Sequence, residues 1–254
     1  YIMALISSQK EIEAWYHKLR SPRLSSSKLS ELYHTFHPKM AFLKMLPRSA
    51  VVADIGAGDG SLSSIRRWPA PARSDLRLHA YALEKGRAFD EYVSYEIGDW
   101  NEAPPEFGGL SFDAVVCVHF IEHIDDPVTF CNWLGRKLVP GGRAYIEWPS
   151  SRSIDLPSKH LLKDAGIELT ISRFDDDKTH QRLPNMDGII ESMKAVGLSI
   201  EAQGIIRLPW LEDEMMANAE GVDASFNRQV AFWSATGWSQ YLVVHRPIVD
   251  NNQP

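Results

Sequence analysis

Between residues 50 and 206 the chain alternates short apolar runs with stretches in which apolar residues return every three or four positions. The short runs cover 51–55, 76–83, 93–97, 112–118, 143–148 and 198–206, and their length and composition predict buried strands. Helices are predicted at 61–68, 127–138 and 187–196. Asp126 precedes Pro127 as an N-cap before a proline at the first helical position. Asn185 caps the third helix, which carries Met186, Ile189, Ile190 and Met193 on one face and stops at Gly197. Residues 10–48 also read as helical: Leu29, Leu32, Tyr33 and Phe36 form one stripe, Pro38 interrupts it, and Met40, Leu43 and Leu46 resume it. Strand–helix alternation of this kind implies right-handed βαβ units and a mostly parallel sheet. A last run, 240–245, is expected to return antiparallel at the sheet edge. Two long polar stretches, 150–184 and 208–238, fit no simple unit, and connections of that length are often functional. The expected organisation is one domain over 1–254, with a helical cap (1–48), a core (49–207), and an insertion with the last strand (208–254).

At 254 residues, 44% apolar and 24% charged, the chain can bury a sizeable core. A formal net charge of −6 argues against a broad electrostatic grip on nucleic acid or anionic lipid. The longest apolar run, 114–121, is too short to cross a bilayer, and no cleavable leader pattern opens the chain. The two cysteines, Cys117 and Cys131, read as reduced core residues, so a cytoplasmic location is expected.

The chemistry concentrates in "VVADIGAGDGS", 51–61, a strand running into a glycine turn. Glycines at Gly56, Gly58 and Gly60 let backbone turn tightly and approach a ligand. In a phosphate-binding loop the helix N-terminus would attract an anion, yet Asp54 and Asp59 place acid there. Like-charge repulsion in that position favours a cationic, phosphate-free guest. S-adenosylmethionine, with its ammonium and sulfonium groups, meets that description.

The stretch resembles the first motif of class I S-adenosylmethionine-dependent methyltransferases. Further matches follow in order: Glu84 in "HAYALEKG", Asp99 and Trp100 in "EIGDW", "FDAVVCVHFIEHIDDP", and "LVPGGRAYIEWP". The resemblance covers roughly 48–206. It implies a Rossmann-like, seven-stranded, mostly parallel α/β sheet with helices on both faces. It also implies a cofactor site at Asp54, Gly56, Ala57, Gly58, Glu84, Lys85, Asp99, Trp100 and His119. Glu84 would accept from the ribose hydroxyls, Asp99 from the adenine amino group, and Trp100 would pack on the ring. On this reading Asp54→Asn or Gly56→Val should weaken cofactor binding with little loss of folding.

Methyl transfer from a sulfonium needs alignment above all, and a base only where the acceptor loses a proton. His119, His123 and His180 are the candidates, and His119, Glu122 and His123 would share one side of a helical turn. The same pattern with His180 resembles the Glu-x-x-Glu-His cluster of small-RNA 2′-O-methyltransferases and a related one in ubiquinone-pathway O-methyltransferases. Those four residues could hold a divalent or transition metal. His119 replaces the family's glutamate, however, which disfavours magnesium, and no metal ligand is assigned. The expected function is methyl transfer from S-adenosylmethionine, releasing S-adenosylhomocysteine, to an oxygen or nitrogen of a small molecule, with neither nucleic acid nor membrane as partner. The competing readings are a non-catalytic cofactor-binding scaffold and an NAD-dependent oxidoreductase. The sequence does not indicate an oligomeric state.

Overall fold

All seven apolar runs become strands of one sheet: β1 (Val51–Ile55), β2 (Arg77–Ala82), β3 (Ser94–Ile97), β4 (Phe112–Val118), β5 (Leu138–Pro149), β6 (Ser199–Ile205) and β7 (Ser239–His245). The computed structural model describes residues 4–218, 221 and 223–248. The strand order is β3-β2-β1-β4-β5-β7-β6, with β3, β2, β1, β4 and β5 pairing parallel. Arg246, just past β7, exchanges hydrogen bonds with Gly141 and Gly142 near the start of β5, so β7 runs antiparallel.

The position expected for β7 needs correction: it lies inside the sheet, between β5 and β6. Burial gives the reason. Strand β7 buries Leu242, Val243 and Val244, whereas β6 alternates half-buried and exposed residues, as suits an edge. Strand β5 begins five residues earlier than its apolar pattern, inside "LVPGG". The helix predicted at 61–68 is instead a 3-10 turn, Ser61–Arg66. Pro69 and Pro71 bar its continuation, since each restricts the residue before it and offers no N–H.

The contacts divide the chain into two compact units. One comprises 42–148, 184–204 and 241 onward, and contains the sheet. Its helices α4 (Pro127–Lys137) and α6 (Met186–Ala195) begin at the expected caps, Asp126 and Asn185. Phe130, Trp133, Leu134, Ile189 and Met193 pack from them with Ala53, Ile55, Val115, Cys117 and Ile146 of the sheet. Alternation along the strands sends Asp54, Val116, Tyr145 and Glu147 to the opposite face. There Phe42, in α3 (Pro38–Lys44), meets Tyr145 at 5.8 Å between ring centroids.

The other unit gathers residues up to 41, 149–183 and 205–240, including both stretches that fit no simple pattern. It holds α1 (Gln9–Tyr16), α2 (Ser26–Phe36), α5 (Lys159–Asp164), α7 (Pro209–Met216) and α8 (Ala224–Thr236). Ile12, Leu29, Leu162, Leu211, Val230, Phe232 and Trp238 form its own core. Trp233 stacks on Trp238 at 4.6 Å, so much of the aromatic content of 208–238 is structural. No helix among the described residues is long and apolar enough to cross a membrane.

Candidate active site

The sheet reverses its winding between β1 and β4, and ligands of open parallel sheets lie beyond the carboxyl ends of strands at such a point. The glycine turn after β1 uses several of its donors within the protein. The Gly56 and Ala57 N–H groups both donate to the Tyr81 carbonyl at 2.9 Å, and that of Gly60 donates to the Ala57 carbonyl. The Ser61 N–H donates to Asp59 Oδ1 at 3.2 Å. Only a six-residue 3-10 turn follows. Those four N–H groups are engaged within the protein, and a phosphate would lack the dipole of a full α-helix.

The two acids play unequal parts. Asp54 is buried and accepts the Tyr92 hydroxyl at 2.6 Å. Burial first, and then the Asp54 charge, hold the Tyr92 phenol far above its ordinary pKa. Asp59 is exposed and pairs with Arg87 at 2.9 Å. Gly86 is a residue that pattern reading missed. A Cβ there would stand 2.5 Å from the Gly58 carbonyl oxygen and 2.6 Å from the Asp59 carbonyl carbon.

Beyond β2 and β3, Glu84 and Asp99 are exposed. Asp99 also accepts the Asn101 N–H at 2.9 Å, closing its own turn. Lys85 turns to Asp90, 2.8 Å away, and lies 5.4 Å over the Tyr95 ring. The Trp100 expectation is corrected. Its indole is 4% exposed, lies among Tyr81, Phe120, Phe130 and Trp133, and donates to Thr129 Oγ1 at 2.9 Å. Five-ringed burial of this kind uses the aromatic surface on protein, beneath the loop.

After β4 the chain makes a turn rather than a helix, with α4 starting only at Pro127. His119 sits there at φ 50°, in the left-handed region that side chains rarely adopt. Its Nδ1 is 3.2 Å from Glu122 Oε1. Its Nε2 is 3.2 Å from Glu147 Oε1, an ion-pair contact rather than an aligned hydrogen bond. Burial pulls the imidazole pKa down, but the two carboxylates reverse this and raise it to about 9. His119 is thus an imidazolium at neutral pH.

A family model described as a methyltransferase domain matches residues 26–203, most of the chain. The chain belongs to the methyltransferase domain family. The resemblance to S-adenosylmethionine-dependent enzymes read from the ordered motifs therefore holds. This methyltransferase is 34% identical over 180 residues to the ubiquinone biosynthesis O-methyltransferase of Xanthomonas axonopodis pv. citri (strain 306), covering 66% of this chain and 70% of that one. It is 35% identical over 101 residues to the enzyme of the same name from Xanthomonas oryzae pv. oryzae (strain PXO99A), covering 38% of this chain and 42% of the relative. An S-adenosylmethionine-dependent methyltransferase structure from Mesorhizobium loti superposes with a TM-score of 0.50 at 16% identity, covering 81% and 96% of the two chains, a likeness of fold alone.

The charge on His119 changes one expectation for the methyltransferase. An imidazolium offers no lone pair, so His119 in this state is a poor proton acceptor. His123 is half-buried on the same turn, its N–H donating to the Phe120 carbonyl at 2.9 Å. His180 lies in the second unit, its ring stacked 4.4 Å from Phe174 and its Nδ1 2.7 Å from the Phe174 carbonyl. Glu147, Tyr145 and Phe120 went unnoticed in the sequence, where they read as strand and turn residues.

Proposed function

We propose that this methyltransferase transfers the methyl group of S-adenosylmethionine to an oxygen of a hydroxylated small molecule. One observation carries the reading. The glycine turn engages the Gly56, Ala57, Gly60 and Ser61 N–H groups within the protein, while carboxylates at Glu84 and Asp99 stand exposed beyond neighbouring strands. That arrangement suits a ribose diol, an adenine amine and positive charge better than it suits a diphosphate. Among the described residues the Tyr81 hydroxyl is buried and has no hydrogen-bond partner, and it lies beside Gly98 near Asp99. A polar ligand atom at the Asp99 end would relieve it. The Xanthomonas relatives, named for O-methylation, support oxygen over nitrogen.

S-adenosylmethionine supplies an electrophilic methyl group on a sulfonium. Residues of this chain then have to orient the acceptor and take its proton. With His119 already charged, proton acceptance passes to His123. Calorimetry with S-adenosylhomocysteine, followed by product release with simple catechols as acceptors, tests the reading. Micromolar binding and turnover that falls in His123→Ala are expected. Tight NAD binding without S-adenosylhomocysteine binding would refute it, and binding without turnover on any acceptor would favour a scaffold.

A further inference from the structure

The turn at His119 is strained and unusually well fastened. Among the described residues only Ser49, Phe107 and His119 combine a side chain with positive φ. Such strain persists only where surrounding structure imposes it. At His119 the fasteners come from β5. The His119 N–H donates to the Glu147 carbonyl at 2.8 Å, and Glu147 Oε1 stands 3.2 Å from His119 Nε2. Glu147 Oε2 accepts the Tyr145 hydroxyl at 2.8 Å. Glu122 holds the other imidazole nitrogen from within the turn, and both glutamates are buried.

The next residue shows what the strain achieves. Phe120 presses on the glycine loop so closely that a Cβ on Gly56 would meet its Cβ at 2.7 Å and its ring at 2.8 Å. Its ring also meets Trp100 at 5.4 Å and Tyr81 at 6.5 Å. The Tyr81 carbonyl in turn holds the Gly56 and Ala57 N–H groups. A continuous set of contacts runs from the end of β5 to the loop after β1, all within the sheet unit.

We infer that Tyr145 and Glu147, acting through His119, hold the left-handed turn that seats Phe120 on Gly56, and so set cofactor affinity without touching the cofactor. The inference rests on the cofactor reading above and adds positioning residues to it. Two isosteric variants probe it. Glu147→Gln removes the charge facing His119, and Tyr145→Phe removes the hydroxyl that fixes the carboxylate.

Affinity for S-adenosylhomocysteine is measured by calorimetry, with circular dichroism as the folding control and steady-state kinetics alongside. Glu147→Gln is expected to weaken binding about ten-fold and to raise KM for S-adenosylmethionine equally, a coupling of ordinary size for packed contacts. At saturating cofactor kcat should change less than two-fold, a split that general loss of structure would not give. His119→Asn should retain more affinity than His119→Ala, because asparagine tolerates the left-handed region. Should Glu147→Gln fail to fold, Tyr145→Phe carries the comparison, with a loss of a few-fold expected. Wild-type affinity in folded variants would overturn the inference. Failure of the wild-type protein to bind S-adenosylhomocysteine would overturn the cofactor reading beneath it.

Discussion

Replacing Gly56 with alanine tests how the glycine loop is built. Gly56 and Gly58 both have positive φ, 75° and 54°. Alanine at either position meets the left-handed penalty, about 1–2 kcal/mol. Only at Gly56 does the added Cβ also collide: three Phe120 side-chain atoms would lie 2.7 to 2.9 Å away, whereas nothing lies within 4 Å of a Cβ on Gly58. Because one contact is Phe120 Cβ, a ring rotation alone cannot relieve it. Overpacking of this kind costs about 1–3 kcal/mol more. Gly58→Ala should therefore lose about 1–2 kcal/mol and Gly56→Ala about 2–5 kcal/mol, measured by urea unfolding of the sheet unit's tryptophan signal. Adding Phe120→Gly, which removes Cβ as well as the ring, to Gly56→Ala should recover about 1–3 kcal/mol relative to the additive sum, the signature of coupled neighbours. Equal losses at the two glycines, or an additive double variant, would refute the reasoning. The structure thus overturns the expectation that Gly56→Val would spare folding.

Two further outcomes follow from polar groups in the sheet unit. His119 has a folded pKa of about 9, above the roughly 6.5 of an unfolded histidine. Its contribution is fully present below about pH 6.5 and is lost as pH rises through about 9. The urea midpoint should fall between pH 7 and 10, and His119→Gln should flatten that slope; an unchanged slope would count against the carboxylate clamp. Arg73 donates to the Leu43, Lys44 and Pro47 carbonyls and to both oxygens of Asp75, whose pKa the guanidinium and the Ser49 N–H hold well below the carboxylate range. Arg73→Ala should cost about 1–3 kcal/mol by leaving partly buried acceptors unmatched. Arg73→Lys should rescue little, since an ammonium cannot span the fork, and thermal unfolding would show either result.

Much of this architecture was legible because local periodicity and caps report directly on local structure. Strand β4 matches its apolar run end to end, and the Asp126 and Asn185 caps sit where their side chains predicted. The glycine turn was legible because its residues are contiguous in sequence. The place of β7 was not, since strand order depends on which faces and edges the rest of the chain leaves open. The 3-10 turn after Gly60 was written in Pro69 and Pro71 but outweighed by the apolar spacing of 61–68.

The sequence by itself determined the alternating α/β sheet and, through its ordered motifs, the family. Tertiary structure alone decided the parts played by individual polar groups. A histidine's charge depends on what faces its two nitrogens. Here one facing group, Glu147, comes from a strand 28 positions away, brought beside His119 by the parallel pairing of β4 with β5. Trp100 could equally have offered a face to a ligand until packing enclosed it. Such roles rest on distances between residues far apart along the chain, and no local pattern encodes them.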